Sequence, residues 1–176
     1  QFGLDRLLLI NSRLHFQDDH KPVLTDRLDP RHFELFDLQV EMEGLFASAD
    51  SSAIRLKTLS FQESGGIRVE NSSFLLNLLP DELALDGLQL NTSESELTGE
   101  VRMQFGTYAD FNDFNERVRL RLNFEKIFLS PNDMRRLAGQ QAPRLPISAS
   151  GNFSGRVSNL RARELQLNLG YYSYLQ

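Results

Sequence analysis

The sequence predicts an all-β protein of long antiparallel strands. Three observations carry this: apolar and polar residues alternate with a period of two, turn signals separate the alternating runs, and no long amphipathic helix accompanies them. Near the N-terminus Leu4, Leu7 and Leu9 open a first run, which the pair Asn11-Ser12 closes as a turn. Phe33 to Val40 forms a second. Leu56 to Phe61 leads into Glu63-Ser64-Gly65-Gly66 and returns through Ile67 and Val69, a hairpin signature. Phe74–Leu79 is the most apolar short stretch, and Leu85, Leu88 and Leu90 run into a turn from Thr92 to Ser95. Leu97, Gly99, Val101, Met103 and Phe105 alternate with polar residues, as do Val118, Leu120, Leu122 and Phe124. Ile147 to Val157 and then Leu165, Leu167, Leu169 and Tyr171 complete the series. Several runs reach eight residues or more, beyond the usual five or six.

Two segments break the rhythm as short helices, near 110–116 and 131–138. Asp110 to Glu116 brings Phe111 and Phe114 to one side of a helical turn. Ser130 is an N-cap candidate, Pro131 fits the first helical position, and basic residues precede Gly139. Gln140 to Pro146 reads as a loop.

A degenerate repeat emerges once the runs are aligned. The spacing apolar-x-x-apolar-x-apolar occurs at Leu4/Leu7/Leu9, Phe33/Phe36/Leu38, Leu56/Leu59/Phe61, Leu85/Leu88/Leu90 and Phe124/Ile127/Leu129. A step of three inside a period of two flips the face, unless a β-bulge absorbs one residue. A bulge at the same point of successive hairpins would keep the apolar residues together and bend the sheet around them. The intervals are too uneven for a strict solenoid.

The 176 residues, 40% hydrophobic and 24% charged, suit one globular domain rather than a disordered or low-complexity chain. No run approaches the roughly 20 apolar residues that cross a bilayer, and Gln1 opens the chain without the features of a signal peptide. The absence of cysteine excludes disulfides, thiol catalysis and cysteine-based zinc sites. A net charge of -5 argues against nucleic acid as the main partner.

Signals for chemistry are sparse. His15, His20 and His32, with Asp18, Asp19, Lys21 and Pro22 among them, lack metal-ligand spacing and read as surface or rim histidines. Gly151-Asn152-Phe153-Ser154-Gly155 has the wrong spacing for a nucleophile elbow, and no phosphate loop exists. Glu94 and Glu96 lie at a turn without a cleft, so they read as solubilising charge. Arg117, Arg119 and Arg121, with Arg102 nearby, form a basic ladder that reads as a solvated face. The expectation is no enzyme, no metal and no cofactor.

What remains is the apolar face. The helix after Ser130 is too short to cover a sheet of eight or more strands. Such a sheet must close as a sandwich or barrel, or curl into a trough that holds something apolar. On the pattern alone a sandwich or barrel ranks ahead of an open trough, although no tryptophan or cysteine pair marks an immunoglobulin-type centre.

Several segments resemble the TamB/AsmA-like family: Phe33 to Val40, the hairpin Leu56 to Val69, Leu85 to Thr92 followed by Ser95 to Gly99, and Ile147 to Leu160. The Phe111-to-Val118 insertion and the entry Leu28-Asp29-Pro30-x-His32 resemble the TamB versions. The resemblance runs from about Leu4 to Leu169. It implies a single segment, 1–176, of a longer repetitive chain whose membrane anchor and C-terminal domain lie elsewhere. It implies long antiparallel strands curled into a U-shaped β-taco groove, polar outside and apolar inside, in the periplasm of a double-membraned bacterium. The function implied is phospholipid carriage between inner and outer membrane, or support of outer-membrane protein assembly with an Omp85-family barrel reached through other regions. Phospholipid acyl chains are the expected ligand. The expected groove residues are Leu38, Val40, Leu59, Phe61, Leu88, Leu90, Val101, Leu120 and Leu167. The rival reading is a closed β-sandwich acting as an interaction or adhesion module.

Overall fold

The structure, a computed structural model, describes residues 2–20, 22–25 and 27–170. Tyr171, expected to continue the last strand, and Lys21 lie outside the described residues. The chain forms one nine-stranded antiparallel sheet in which spatial order follows sequence order. The strands are β1 (Phe2–Gln17), β2 (His32–Ala47), β3 (Ser52–Glu63), β4 (Arg68–Leu78), β5 (Glu82–Thr92), β6 (Glu96–Gln104), β7 (Arg119–Leu129), β8 (Ile147–Arg156) and β9 (Asn159–Leu169). β1 and β9 are the two edges and do not pair with each other, so the sheet is open.

Every two-residue alternation becomes a strand, because each exposes polar side chains on one face and gathers apolar ones on the other. Bulges keep that assignment constant along the strands. The register shifts between Leu56 and Leu59, Leu85 and Leu88, and Phe124 and Ile127, the three-residue steps of the repeat. In β5 the extra residue is taken up where Gly87 adopts φ +60°, open to glycine without strain.

Two instances of the repeat resolve differently. β2 bulges between Phe36 and Gln39, with Asp37 at φ +50°, so the working triplet is Leu35/Leu38/Val40. Phe36 instead pairs with Gln62 on the opposite face and lies under the Arg13 guanidinium, 4.8 Å from the ring centre. In β1 the pairing with β2 runs from Leu4 to Leu9 without a shift. Nor is Asn11-Ser12 a turn: β1 runs through it, with Asn11 at φ +49° absorbing a bulge between Leu9 and Ser12. Asparagine tolerates the left-handed region, so its turn signal and its bulge signal are the same signal.

The helices cap the two ends of the sheet. Helix α2 (Pro131–Ala138) starts as its sequence dictates, with Ser130 Oγ accepting from the Asp133 amide at 3.0 Å and Pro131 in the first turn. At the other end a 3₁₀ turn (Tyr108–Asp113) leads into the single-turn helix α1 (Phe114–Arg117). Asp110 accepts from the amides of Gly106 and Thr107, and Phe111 and Phe114 pack against Phe105, Val118 and Leu120. Val118 is fully buried there. Arg117 therefore belongs to α1 and pairs with Asp110 and Asp113 instead of extending a strand ladder. A second apolar cluster gathers Leu38, Val40 and Leu56 with Leu9, Leu35 and Phe74 around β1–β4.

Candidate functional site

Direct cross-strand partners share a face, which makes the pairing a map of what each face carries. One row runs through all nine strands: Leu9, Val40, Leu59, Ser72, Leu90, Leu97, Ile127, Ala149 and Leu167. Only the buried Ser72 interrupts its apolar character. A parallel row joins Ile54, Leu76, Leu85, Val101, Leu122 and Phe153. A third joins Leu78, Leu83, Met103 and Leu120. The strand period links these rows, since Leu97, Val101 and Met103 are separated by even steps in β6. They define a leucine-bearing face.

The nine groove candidates sit differently on it. Val40, Leu59, Leu90 and Leu167 belong to the first row, and Val101 and Leu120 to the other two. Leu88 lies opposite Gly99, Phe61 opposite Val69 and Leu38 opposite Ser12. Leu38, Val40, Val101 and Leu120 are buried, Leu59, Phe61, Leu88 and Leu90 half-buried, and Leu167 on the edge strand is 52% exposed.

At the α2 end the same face opens into a cavity of about 570 Å³. Leu59, Phe61 and Leu90 form part of its floor, with Phe33, Leu35 and Val69 beside them. Leu28 and Pro30 from the β1–β2 connection and Leu137 from α2 close over it. Those three were not among the sequence-derived groove residues: they lie outside alternating runs, and only Leu137, three residues after Met134 on a short helix, carries a periodic signal.

Two polar networks hold this roof. Asp133, 2% exposed, accepts from Thr92 Oγ1 at 2.5 Å and Ser95 Oγ at 2.7 Å, which moors α2 to the β5–β6 turn. Ser95 Oγ in turn accepts from the Ser130 amide at 3.0 Å, and Arg136 reaches Asp133 at 3.1 Å. The second network centres on Asp29, 5% exposed, which accepts from the amides of Leu24 and Arg31. His32 joins it through Nδ1 at 2.9 Å, while its Nε2 lies 2.8 Å from the Asp18 carbonyl. His32 is thus not a surface histidine but a strut of the connection carrying Leu28 and Pro30. Its basicity is raised, first by the Asp29 carboxylate, and the Asp29 carboxyl is held down to about 2, first by the Leu24 amide. The Leu28 amide also donates to the Arg136 carbonyl, joining the connection to α2.

Every carboxylate bordering the cavity has such partners. Glu63 accepts from Ser64 Oγ and the Gly65 amide. The one buried side-chain polar atom without a partner among the described residues is Nη1 of Arg102, whose row (Ala84, Arg102, Arg121) is on the opposite face. The cavity therefore offers hydrocarbon contact and no free polar group. His15 is exposed on β1 and His20 lies in the following turn, and no group of three or more metal-ligating side chains occurs among the described residues. No described helix is long and apolar enough to cross a membrane. Comparison with protein-family models, curated proteins and solved structures returns no match to this chain.

Proposed function

We propose that the chain is a segment of a periplasmic bridge-like carrier, its sheet curled into a U-shaped groove in which the leucine-bearing face holds phospholipid acyl chains. The observation that carries this reading is the apolar row crossing all nine strands and running into the roofed cavity. A cavity of 570 Å³ falls within the ~300–1,000 Å³ of small-molecule sites. Buried methylenes contribute about 0.8 kcal/mol each, so eight of them supply roughly 6 kcal/mol without any directional contact. A floor of leucine and phenylalanine with satisfied polar groups holds a chain by area alone and lets it shift along its own axis. Head groups stay in water, and the reading requires no catalytic residue, metal or cofactor.

A closed sandwich needs a second facing sheet, whereas the described residues form one sheet with two open edges. Those edges favour a second use, in outer-membrane protein assembly with an Omp85-family partner. Both edge strands expose apolar side chains, and β1 has an outer edge without a neighbouring strand among the described residues, which a client strand could extend. A client strand would bring alternating polar residues onto a face that has no polar partners left, so acyl chains remain the better fit.

The test is lipid extraction and native mass spectrometry of the purified chain, with photo-crosslinking from Phe61 and Leu90. Co-purified phospholipid crosslinked at both positions supports the reading. A lipid-free chain whose probes capture only unfolded outer-membrane clients would replace lipid carriage by assembly.

A further inference from the structure

The charge of this chain is divided along its length: residues 1–116 carry 9 basic and 21 acidic side chains, and residues 117–176 carry 10 and 3. The register concentrates the basic part on the face opposite the leucines. Arg102, Arg121, Ser154 and Arg161 form one cross-strand row, Arg119 pairs with Gln104, and Arg163 with Asn152. Arg156 follows Ser154 on the same side of β8. Arg119, Arg121, Arg156, Arg161 and Arg163 are all exposed, and none makes an ion pair among the described residues. Elsewhere on the same face several cations are paired, as in Arg6 with Glu41, Lys57 with Glu43, Arg102 with Asp86 and Lys126 with Glu96. Five uncompensated guanidinium groups on three adjacent strands thus stand out from a chain that is acidic overall.

Apolar side chains are exposed at the end of these strands, on the leucine-bearing side. The β8–β9 turn docks on α1, with the Ser158 amide donating to the Asn115 carbonyl at 3.2 Å and Ser158 Oγ to Glu116 at 3.0 Å. This places Val157 and Leu160, 44% and 42% exposed, at the same end of the sheet as Tyr108, 60% exposed. We infer that this corner of β7–β9 docks on a bilayer surface bearing anionic phospholipid, the arginines meeting phosphates and the Tyr108, Val157 and Leu160 tip entering the interface. A second copy of the chain, offering the acidic residues of 1–116, would instead give a salt-sensitive dimer in the absence of vesicles, and that result would overturn the inference. A nucleic acid would use the arginines but not the apolar tip.

An anionic leaflet attracts each nearby arginine enough to change affinity about fivefold. Vesicle flotation of the whole chain tests this, comparing pure phosphatidylcholine with phosphatidylcholine containing phosphatidylglycerol. Binding is expected only to the anionic vesicles, falling steeply from roughly 0.1 M to 1 M salt as the screening length drops from ~10 Å to ~3 Å. Replacing Arg121→Gln together with Arg161→Gln should weaken it about 25-fold, while Lys57→Gln on the acidic side leaves it unchanged. Both arginines lack partners, so an unshifted melting curve verifies the fold. Equal binding to neutral vesicles, no loss in the double variant, or tighter binding to a DNA oligonucleotide than to vesicles would each overturn the inference. Lipid content of the purified chain reads the groove separately and does not depend on this corner.

Discussion

Replacing Asp133 with alanine should release α2 from the sheet and open the cavity roof. The side chain is 2% exposed and accepts from two hydroxyls, Thr92 Oγ1 at 2.5 Å and Ser95 Oγ at 2.7 Å, besides meeting Arg136. Hydrogen bonds to a charged partner contribute about 1.5–3 kcal/mol each, so two of them bound the loss at roughly 3–6 kcal/mol. The N-cap survives, since Asp133 gives it only a backbone amide, and both hydroxyls recover water once the helix lifts. About 3 kcal/mol is therefore expected. At ~2–4 °C per kcal/mol for a domain of this size, the melting temperature should fall by about 6–12 °C. Asp133→Asn keeps the shape and one good acceptor and should lose about half as much. Thermal unfolding gives the total, and hydrogen exchange of the Met134–Ala138 amides shows whether the loss is local. If Asp133→Ala melts as the parent does and those amides exchange no faster, the carboxylate does not hold the roof.

The Asp29–His32 strut should make the roof pH-dependent. With His32 raised above 6.5, its contribution is complete below that value and is lost as pH rises through the raised one; that of Asp29, lowered to about 2, is present above 3.8 and fails as pH falls toward 2. Protection factors of the Leu24 and Arg31 amides should accordingly drop on the alkaline side in the parent and stay level in His32→Gln. Gly99→Ala places a methyl 2.2 Å from the Asn123 carbonyl oxygen and 2.9 Å from Phe124 Cα, so β6 and β7 must separate locally. A loss of about 1–3 kcal/mol by urea unfolding is expected. Val118→Ala empties the centre of the α1 cluster and should cost about 2 kcal/mol in the same assay, whereas Val157→Ala at the exposed β8–β9 turn should cost under about 0.5.

The sheet was legible because its signal is repeated and local. Alternation such as Val118, Leu120, Leu122 identifies a strand whatever its neighbours do, and Ser130, Pro131 and Gly139 specify α2 by capping chemistry alone. Phe36 was misassigned because an apolar residue on a polar face looks like a core residue until the Arg13 guanidinium above it is known. The roof was illegible for a related reason. Leu28, Pro30 and His32 sit in a connection without period, and the Asp133 partners Thr92 and Ser95 are 41 and 38 residues away. The charge division was present in the sequence all along, but a whole-chain net of -5 averages it away.

Bulges connect these local facts to the one face on which the proposed function rests. Between Leu56 and Leu59, Leu85 and Leu88, and Phe124 and Ile127 the chain takes three steps where two would keep a side chain on its face. Were the extra residue paired in the ladder instead of absorbed in a bulge, everything beyond the step would reverse: Leu59 and Phe61, Leu88 and Leu90, and Ile127 and Leu129 would point away from Leu56, Leu85 and Phe124. Each strand would then be apolar on one face for half its length and on the other for the rest, and no row could cross the sheet. In β7 the shift falls immediately beside the row that runs from Leu9 to Leu167, and in β9 Glu164 takes φ +53° two residues before the shifted pairing resumes at Gln166. A bulge also bends and twists its strand. Placed near one level on β3, β5, β7 and β9, the bulges therefore serve two ends with one device. They hold the leucines on a common face, and as bulges do they favour a bend in each strand at that level. Deleting Gly87 would separate the two effects, because it removes the bulge from β5 alone. Leu85 and Leu88 would then stand two steps apart, so Leu88 and Leu90 should keep their face while the local bend is lost; a probe at Leu90 that moved to the polar face would refute this.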